Sequence, residues 1–440
     1  MDKFFKISER GSTVGNEVIG GLTTFLAMAY IIAVNPTFLQ AAGVPFNAAL
    51  TATCFGAAIM TAAMGLIANR PLALASGMGI NAIVAFTLCD ASGLGLDWRV
   101  AMAIVFLEGA VILVLVLCGL RKAIMDAIPV DLRLAIGIGI GLFIAFIGLK
   151  GGGIIVTNPS NLLGAGDFTS PMCIVSLISI LIAVVLTALN VQGALLISIV
   201  LATLIGIPFG VTPMPSSWEF GLDFTAFAAP FQTDPQSGQM AILQVFVQPA
   251  LLLFVFSLLM SDFFDTMGTV VAVAKQGDFV DDKGNVDNIQ EILAVDSAAA
   301  IVGGFMGASS VTTFVESASG AAAGARTGLS NLVISLLFIV FAFFAPIVGM
   351  VSGSATCGAL TVVGYLMMTS IGGIDWERVE HAFPAFITIM GIPFTYSITN
   401  GIGFGFISYV VIKVVQGRAA DVKPLMWVAS LAFLIMFIFA

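Results

Sequence analysis

Apolar runs follow one another along nearly the whole chain, separated by short polar punctuation. They lie at about 17–38, 49–69, 72–88, 98–119, 132–149, 173–189 and 192–210. After a polar stretch at 211–243 they resume at 246–274, 293–309, 311–325, 327–351, 355–371, 382–397 and 398–416, with a last run at 424–440. Crossing the hydrocarbon core of a bilayer takes on the order of 20 residues of helix. The pattern therefore predicts an all-α polytopic membrane protein of seven segments, a linker, seven more segments and a tail. The polar start "MDKFFKISERGST" is not followed by a short apolar region and a small-residue cleavage site, so no signal peptide is read there.

The basic residues give this pattern a direction. With the N-terminus inside, every one of the 16 Lys and Arg except Arg99 and Lys150 falls on the inside face, and the linker 211–243 has none. That is the asymmetry expected of cytoplasmic loops. Seven is odd, so the second half is inverted relative to the first, as in the inverted repeats of secondary transporters. Matching segments support the repeat. The third, "PLALASGMGINAIVAF", and the tenth, "SSVTTFVESASGAAAGARTG", are both short and rich in small residues. "LTALNVQGALLISIV" and "YSITNGIGFGFISYV" each place a polar break between two helical stretches. In the short pair, 72–76 and 311–315 read as extended leads into half-helices that start near mid-membrane. Broken backbone is tolerated at that depth only where protein encloses it. The freed N–H groups of each half-helix start would face a cavity, with Ser76, Gly77, Thr312 and Thr313 beside them.

Composition narrows the chemistry. The residues AVILMFWYC make up 59% of the chain and DEKR 9%, against about 25% charged in a soluble domain. The five cysteines stand singly with no CxxC spacing, and the only histidine, His381, lies in a polar segment. No disulfide framework, metal site, cofactor or His-based catalytic triad is predicted, nor is nucleic-acid binding. Within "LLLFVFSLLMSDFFDTMGTVVAVA" (251–274), however, sit Asp262 and Asp265. An acid near the centre of a membrane helix costs roughly 2.5–3.5 kcal/mol. Asp262, Asp265/Thr266 and Thr269 recur on one helical face, which must turn away from lipid.

Glu316 opens the second half-helix. Phe314, two residues before it, would share its side of an extended piece, and Asn81 lies one turn into the first half-helix. Carboxylates, an amide, hydroxyls, backbone N–H groups and an aromatic ring suit a flat neutral heterocycle better than an anion. Asp262 could instead pair with a neighbouring helix, Asn81 could bond between helices, and Phe314 could simply pack. Glu108 is a lone acid in an apolar run, read as a structural or gating partner. The GxxxG at 137–141 reads as close helix packing. "DFVDDKGNVDN" (278–288) fails the EF-hand spacing and reads as a hairpin with a Lys283-Gly284 turn.

Several linked motifs resemble one family. "EVIGGLTTFLAMAYIIAVNP", "ASGMGINA", "DFFDTMGT", "DNIQEILAVDSAAAIVGG", "TTFVESASGAAAGARTGL" and "PAFITIMGIPFTYSITNGIGFGFISY" look like the azaguanine-type purine permeases of the nucleobase–cation symporter-2 (xanthine/uracil permease) superfamily. The resemblance covers roughly 10–416. It implies fourteen spans in a 7+7 inverted repeat, with a core domain (17–119 and 246–351) moving against a gate domain (120–210 and 355–416). The linker 211–243 would be extracellular, and 417–440 a C-terminal tail. It implies proton-coupled uptake of a purine base across the cell membrane, with the family's binding positions on Asn81, Asp262, Asp265 and Glu316. "TTFVES" has Phe and Val where the family pattern has Tyr and Ile, and the aromatic ring is kept. Glu316 and Asp262 are expected to hold the base, with Asn81, Phe314, Ser76, Gly77 and Thr312 around it. Asp265, with Thr266 and Thr269 as hydrogen-bond neighbours, is expected to carry the proton. The main alternative is an anion carrier or channel of the same architecture; a membrane enzyme is remote. The preferred base, proton against sodium, the role of Glu108, a homodimer and whether 424–440 spans are left open.

Overall fold

The backbone of a computed structural model is described for residues 2–439, apart from 92, 120–127, 159–161, 216, 217, 219 and 281–285. Arg121, Lys122 and the expected Lys283-Gly284 turn lie outside the described residues, although an antiparallel bridge joins Val280 to Val286 on either side of that turn. Among the described residues, nine helices are long and apolar enough to cross a membrane and five shorter apolar helices accompany them. The chain is an all-α polytopic membrane protein.

Along the chain run α1 (Asp2–Phe5), α2 (Val14–Met28), α3 (Ile31–Ala41), α4 (Phe46–Ile67), β1 (Leu74–Ser76), α5 (Met78–Ala82), α6 (Trp98–Leu117), α7 (Val130–Gly151), a hairpin β2 (Ile155–Asn158) and β3 (Leu162–Ala165), α8 (Pro171–Ala188) and α9 (Ala194–Gly206). The second half holds α10 (Ala241–Val247), α11 (Pro249–Gln276), α12 (Ile289–Met306), β4 (Val311–Thr313), α13 (Ser317–Ala322), α14 (Leu329–Phe341), α15 (Ala345–Val348), α16 (Gly353–Met368), α17 (Val379–Phe394), α18 (Ile398–Val415) and α19 (Pro424–Phe439). Helix α5 continues as a π-helical stretch, Ile83–Cys89.

Two segments expected to be single spans are broken. The first divides at Ala29-Tyr30 into α2 and α3, and Pro36 inside α3 removes a helical donor. Segment 327–351 divides into α14 and α15, with Pro346 in the first turn of the second. The two late polar breaks do correspond: Asn190 (φ 55°) and Tyr396 (φ 53°) both take the left-handed conformation between their paired helices.

The extended leads form one unit. β1 and β4 pair antiparallel in the register Leu74↔Thr313, Ala75↔Thr312, Ser76↔Val311, and Phe314 N–H extends the ladder to Ala73 O at 2.9 Å. Every residue of both strands is buried. Around this unit α12 packs on α4 and α6, and α14 on α2 and α4. Helices α7, α8, α9, α16, α17 and α18 pack among themselves. Close approach demands small residues. A Cβ on Gly65 would meet the Gly328 carbonyl at 2.5 Å, and one on Gly20 would meet Ala325 Cβ at 2.6 Å.

The linker is folded down rather than extended. Asp223 N–H bonds Thr51 Oγ1 (3.1 Å), and Arg99 Nε bonds Gln232 Oε1 (2.9 Å). The tail helix α19 packs on α18, where Ser430 Oγ donates to Phe406 O at 3.0 Å. Its 16 residues rise about 24 Å, short of the roughly 30 Å hydrocarbon core.

Candidate functional site

The site grows from the β1–β4 unit. Strands buried in a helical protein leave backbone groups that need partners, and side chains from three helices supply them. Thr61 Oγ1 on α4 accepts from Leu74 N–H and donates to Leu74 O, both at 2.9 Å. Ser317 Oγ accepts from Ala73 N–H (2.9 Å). Asp296 on α12 accepts from Thr313 N–H (3.0 Å), Thr312 Oγ1 (3.1 Å) and Thr266 Oγ1 (2.7 Å). The two threonine hydroxyls lie 2.9 Å apart. Asp296 thus ties α11, α12 and β4 together. The expected helpers differ: Thr312 is held by Asp296, and Gly77 N–H is bonded to Ser310 O at 2.8 Å. Asp296→Ala strands three buried donors and is expected to lower stability by on the order of 3 kcal/mol. Thermal melting of the purified variant reads this, and an unchanged midpoint would show that Asp296 does not anchor the strand.

The four polar residues of α11 are not equally enclosed. Asp262 is buried, Asp265 is exposed at the protein surface, and Thr266 and Thr269 are buried. Asp296 and Glu316 both act electrostatically on Asp265. Such a residue lines a crevice, because the alternative, a carboxyl facing lipid, is excluded on cost. Thr266 is committed to Asp296 rather than to Asp265.

Glu316 lies half-buried just ahead of α13 and accepts a hydrogen bond from Tyr30 Oη at 2.8 Å. Tyr30 sits at the break between α2 and α3. The expectation that Phe314 and Glu316 share one side of an extended piece does not hold, because the strand ends at Thr313 and Glu316 is already helical (φ −57°, ψ −19°). Phe314 is 6% exposed and packs in the main apolar core. The start of α13 offers fewer donors than its sequence implied: Ser317, Ala318 and Ser319 N–H groups each bond a carbonyl three residues back. In the first half-helix, Asn81 N–H is bonded to Gly77 O (2.9 Å), and the N–H groups before it have no intrahelical partner. Asn81 itself is wholly buried, and neither Oδ1 nor Nδ2 has a hydrogen-bond partner among the described residues; Ser76 Oγ likewise has none. A Cβ on Gly79 would lie 3.1 Å from Ile140 on α7, so this half-helix abuts the second helix group.

Sequence reasoning missed Asp296, Tyr30 and Glu17, whose buried carboxylate accepts from Arg326 N–H (2.9 Å) and Thr327 N–H (3.3 Å). Each stood as a lone polar residue within or at the start of an apolar run, the signal that flagged Glu108. Glu108 is itself fully buried on α6, next to Gly109, where that helix crosses α12 within contact distance. His381 lies outside this region, with Nδ1 2.7 Å from Asp131 Oδ2.

The model of the Permease family (Xan_ur_permease) matches residues 15–404. The chain is 38% identical over 441 residues to the adenine permease AdeP of Escherichia coli (strain K12), covering 100% of this chain and 96% of that protein. It is 40% identical over 444 residues to the guanine/hypoxanthine permease PbuO of Bacillus subtilis (strain 168), covering 98% and 99%. Among solved structures, the transmembrane domain of the cyanobacterium bicarbonate transporter BicA superposes with a TM-score of 0.65 at 17% identity, covering 87% of this chain and 96% of that one. At that identity the likeness establishes the fold, an inverted repeat of transmembrane helices.

Proposed function

The chain belongs to the Permease family, that of the xanthine/uracil permeases, and we propose that it carries purine nucleobases into the cell together with protons. It is a transporter, not an enzyme. The observation that carries the reading of the site is Asn81, a buried amide whose donor and acceptor both lack a partner among the described residues, on a half-helix in contact with the helix that bears Asp262 and Asp265. A purine edge offers N–H and ring-nitrogen or carbonyl groups, which match an amide on one side and carboxylates on the other. The relatives named as adenine and guanine/hypoxanthine permeases agree with such a ligand.

In this proposal Glu316 and Asp262 hold the base with Asn81, and Phe314 and Ser76 wall the site. Gly77 and Thr312 act by keeping the β1–β4 unit in place. Asp265 takes the proton. Residues 17–119 and 246–351 form the core domain that carries the site, and 120–210 with 355–416 form the gate against which it moves. Gly79 against Ile140 marks one contact where the two would slide. In the same proposal the N-terminus is cytoplasmic, a side favoured by the distribution of basic residues, and the membrane is the cell membrane.

The fold is shared with a bicarbonate transporter, which keeps an anion carrier as the competing reading. Against it, 72–89, 251–274 and 311–325 contain no Lys or Arg, so the segments that build the site supply acids and no cation. Uptake of labelled adenine and hypoxanthine in cells lacking their own purine carriers tests the proposal. Unlabelled purines are expected to compete, and sulfate and bicarbonate to leave uptake unchanged. Inhibition by the oxyanions and by no purine would replace the purine reading with the anion one.

A further inference from the structure

Away from the acid crevice, the N-terminal segment, the α4–β1 loop, the end of α11 and the α13–α14 loop enclose a cavity of about 410 Å³. Its cations and acids are arranged unequally. Arg70 pairs with Asp287 (2.9 Å) and Arg326 with Asp278 (3.5 Å). The guanidinium side chains are 8% and 24% exposed, whereas their acids are 59% and 82% exposed. Lys6 and Glu9 pair at the rim (3.4 Å), both more than half exposed. Exposed pairs of this kind contribute little and rearrange readily. Arg10 adds a half-buried cation that has no acid partner among the described residues, its guanidinium being donated to the Asn69 carbonyl.

The cations therefore lie deeper in the cavity than the acids that pair with them. Arg70, 7% exposed overall, lies over the Phe279 ring (4.8 Å), and its buried Nε has no hydrogen-bond partner among the described residues. Burial, then the neighbouring Arg10, pushes the Arg70 guanidinium down to about 10. Arg10 and Arg70 line the same cavity, where their like charges repel. The walls are fixed: Asn69 Nδ2 donates to Phe5 O (3.0 Å), and its Oδ1 accepts from Gly328 N–H (2.9 Å). Asn331 Nδ2 donates to Arg70 O (3.1 Å).

We propose that this cavity binds a phosphate-bearing anion, its phosphate seated between Arg10 and Arg70 with Arg326 beside them. Paired guanidinium groups match the oxygen geometry of phosphate. The volume exceeds that of inorganic phosphate and suits a phosphate ester, either a soluble sugar phosphate or the headgroup of an anionic lipid. The proposal stands independently of the purine reading, because it concerns other residues and is tested by binding alone.

The test uses the full-length protein in phosphatidylcholine nanodiscs titrated with ribose 5-phosphate, a phosphate ester with no base, and with ribose as control. Saturable binding of the phosphate and none of ribose is expected. Arg10→Gln and Arg326→Gln are each expected to weaken it at least about tenfold, as loss of one charge-assisted contact does. A second arm replaces part of the phosphatidylcholine with phosphatidylglycerol. A rise in melting temperature that both variants abolish assigns the site to a lipid headgroup. Arg70→Gln is avoided as the main variant because that residue is buried. Glu316→Gln is expected to keep ribose 5-phosphate binding whatever it does to purines. Absence of binding and of lipid stabilisation, or effects that persist in both arginine variants, would overturn the proposal.

Discussion

Glu316→Gln is expected to weaken purine binding by about 1–3 kcal/mol, roughly 5- to 150-fold in Kd, with the protein still folded. The magnitude follows from what the change leaves unpaired. Tyr30 Oη donates to one Glu316 oxygen at 2.8 Å, and in the proposal the other accepts an N–H from the base. In glutamine one of those oxygens becomes an NH₂. If the amide oxygen stays on Tyr30, the NH₂ opposes a base N–H, donor against donor. If it turns, the tyrosine hydroxyl must reverse and the charge-assisted character of the remaining bond is lost. Tyr30→Phe should cost less, since it frees an acceptor instead of removing one. In a double-mutant cycle the pair should couple by about 0.5–3 kcal/mol, as residues in one hydrogen-bond network do. Titration of purified variants with labelled adenine or hypoxanthine reads both. Wild-type affinity in Glu316→Gln would take Glu316 out of the set of residues that touch the base.

Much of this site could be read before any coordinates, and the reason lies in the solvent. In lipid a carboxylate or an interrupted helix is costly unless protein encloses it, so Asp262, Asp265, Glu316 and the two short Gly-rich segments stood out against an apolar background. The inverted repeat was legible for the same reason, through the basic residues of one face. What pairs with what was not. That 74–76 and 311–313 are extended follows from local residues; that they form one ladder joins positions more than two hundred apart, and no periodicity reports it. Asp296 escaped because it sits among "AVDSAAA", small residues that let α12 run close to α4 and α6. Its task is set by backbone groups of β4 whose whereabouts the sequence does not state. Tyr30 escaped because a tyrosine in an apolar run is ordinarily core, and only the break between α2 and α3 turns its hydroxyl to Glu316. The folded linker is a tertiary fact too: Thr51 and Arg99 are ordinary residues until Asp223 and Gln232 come down on them.

Asp265→Asn is expected to spare purine binding and to abolish uphill accumulation, so that purine levels on the two sides of the membrane equalise and a protonophore no longer matters. The other acids are occupied. Asp296 is held by Thr266, Thr312 and the Thr313 N–H, so moving its proton would loosen the strand that positions the site. Glu316 is engaged by Tyr30, and Asp262 is buried on the same face of α11. Asp265 alone of these four acids is exposed, and it still feels the Asp296 and Glu316 carboxyls. A proton on it removes one like charge from a low-dielectric crevice, which lets a neutral base enter without adding to buried charge. In the proposed cycle, loss of that proton on the cytoplasmic side would restore the repulsion and favour release, so the proton gradient would give the cycle its direction. Asparagine keeps the size and polarity of the protonated acid but cannot discharge. It fixes the site in its binding form and removes the coupling, which predicts retained affinity together with lost concentrating power. The measurement is purine binding to the purified variant beside uptake with and without a protonophore. Accumulation against a gradient that still collapses with the protonophore would place the proton on another residue, and a loss of binding as large as that of Glu316→Gln would make Asp265 a ligand of the base instead.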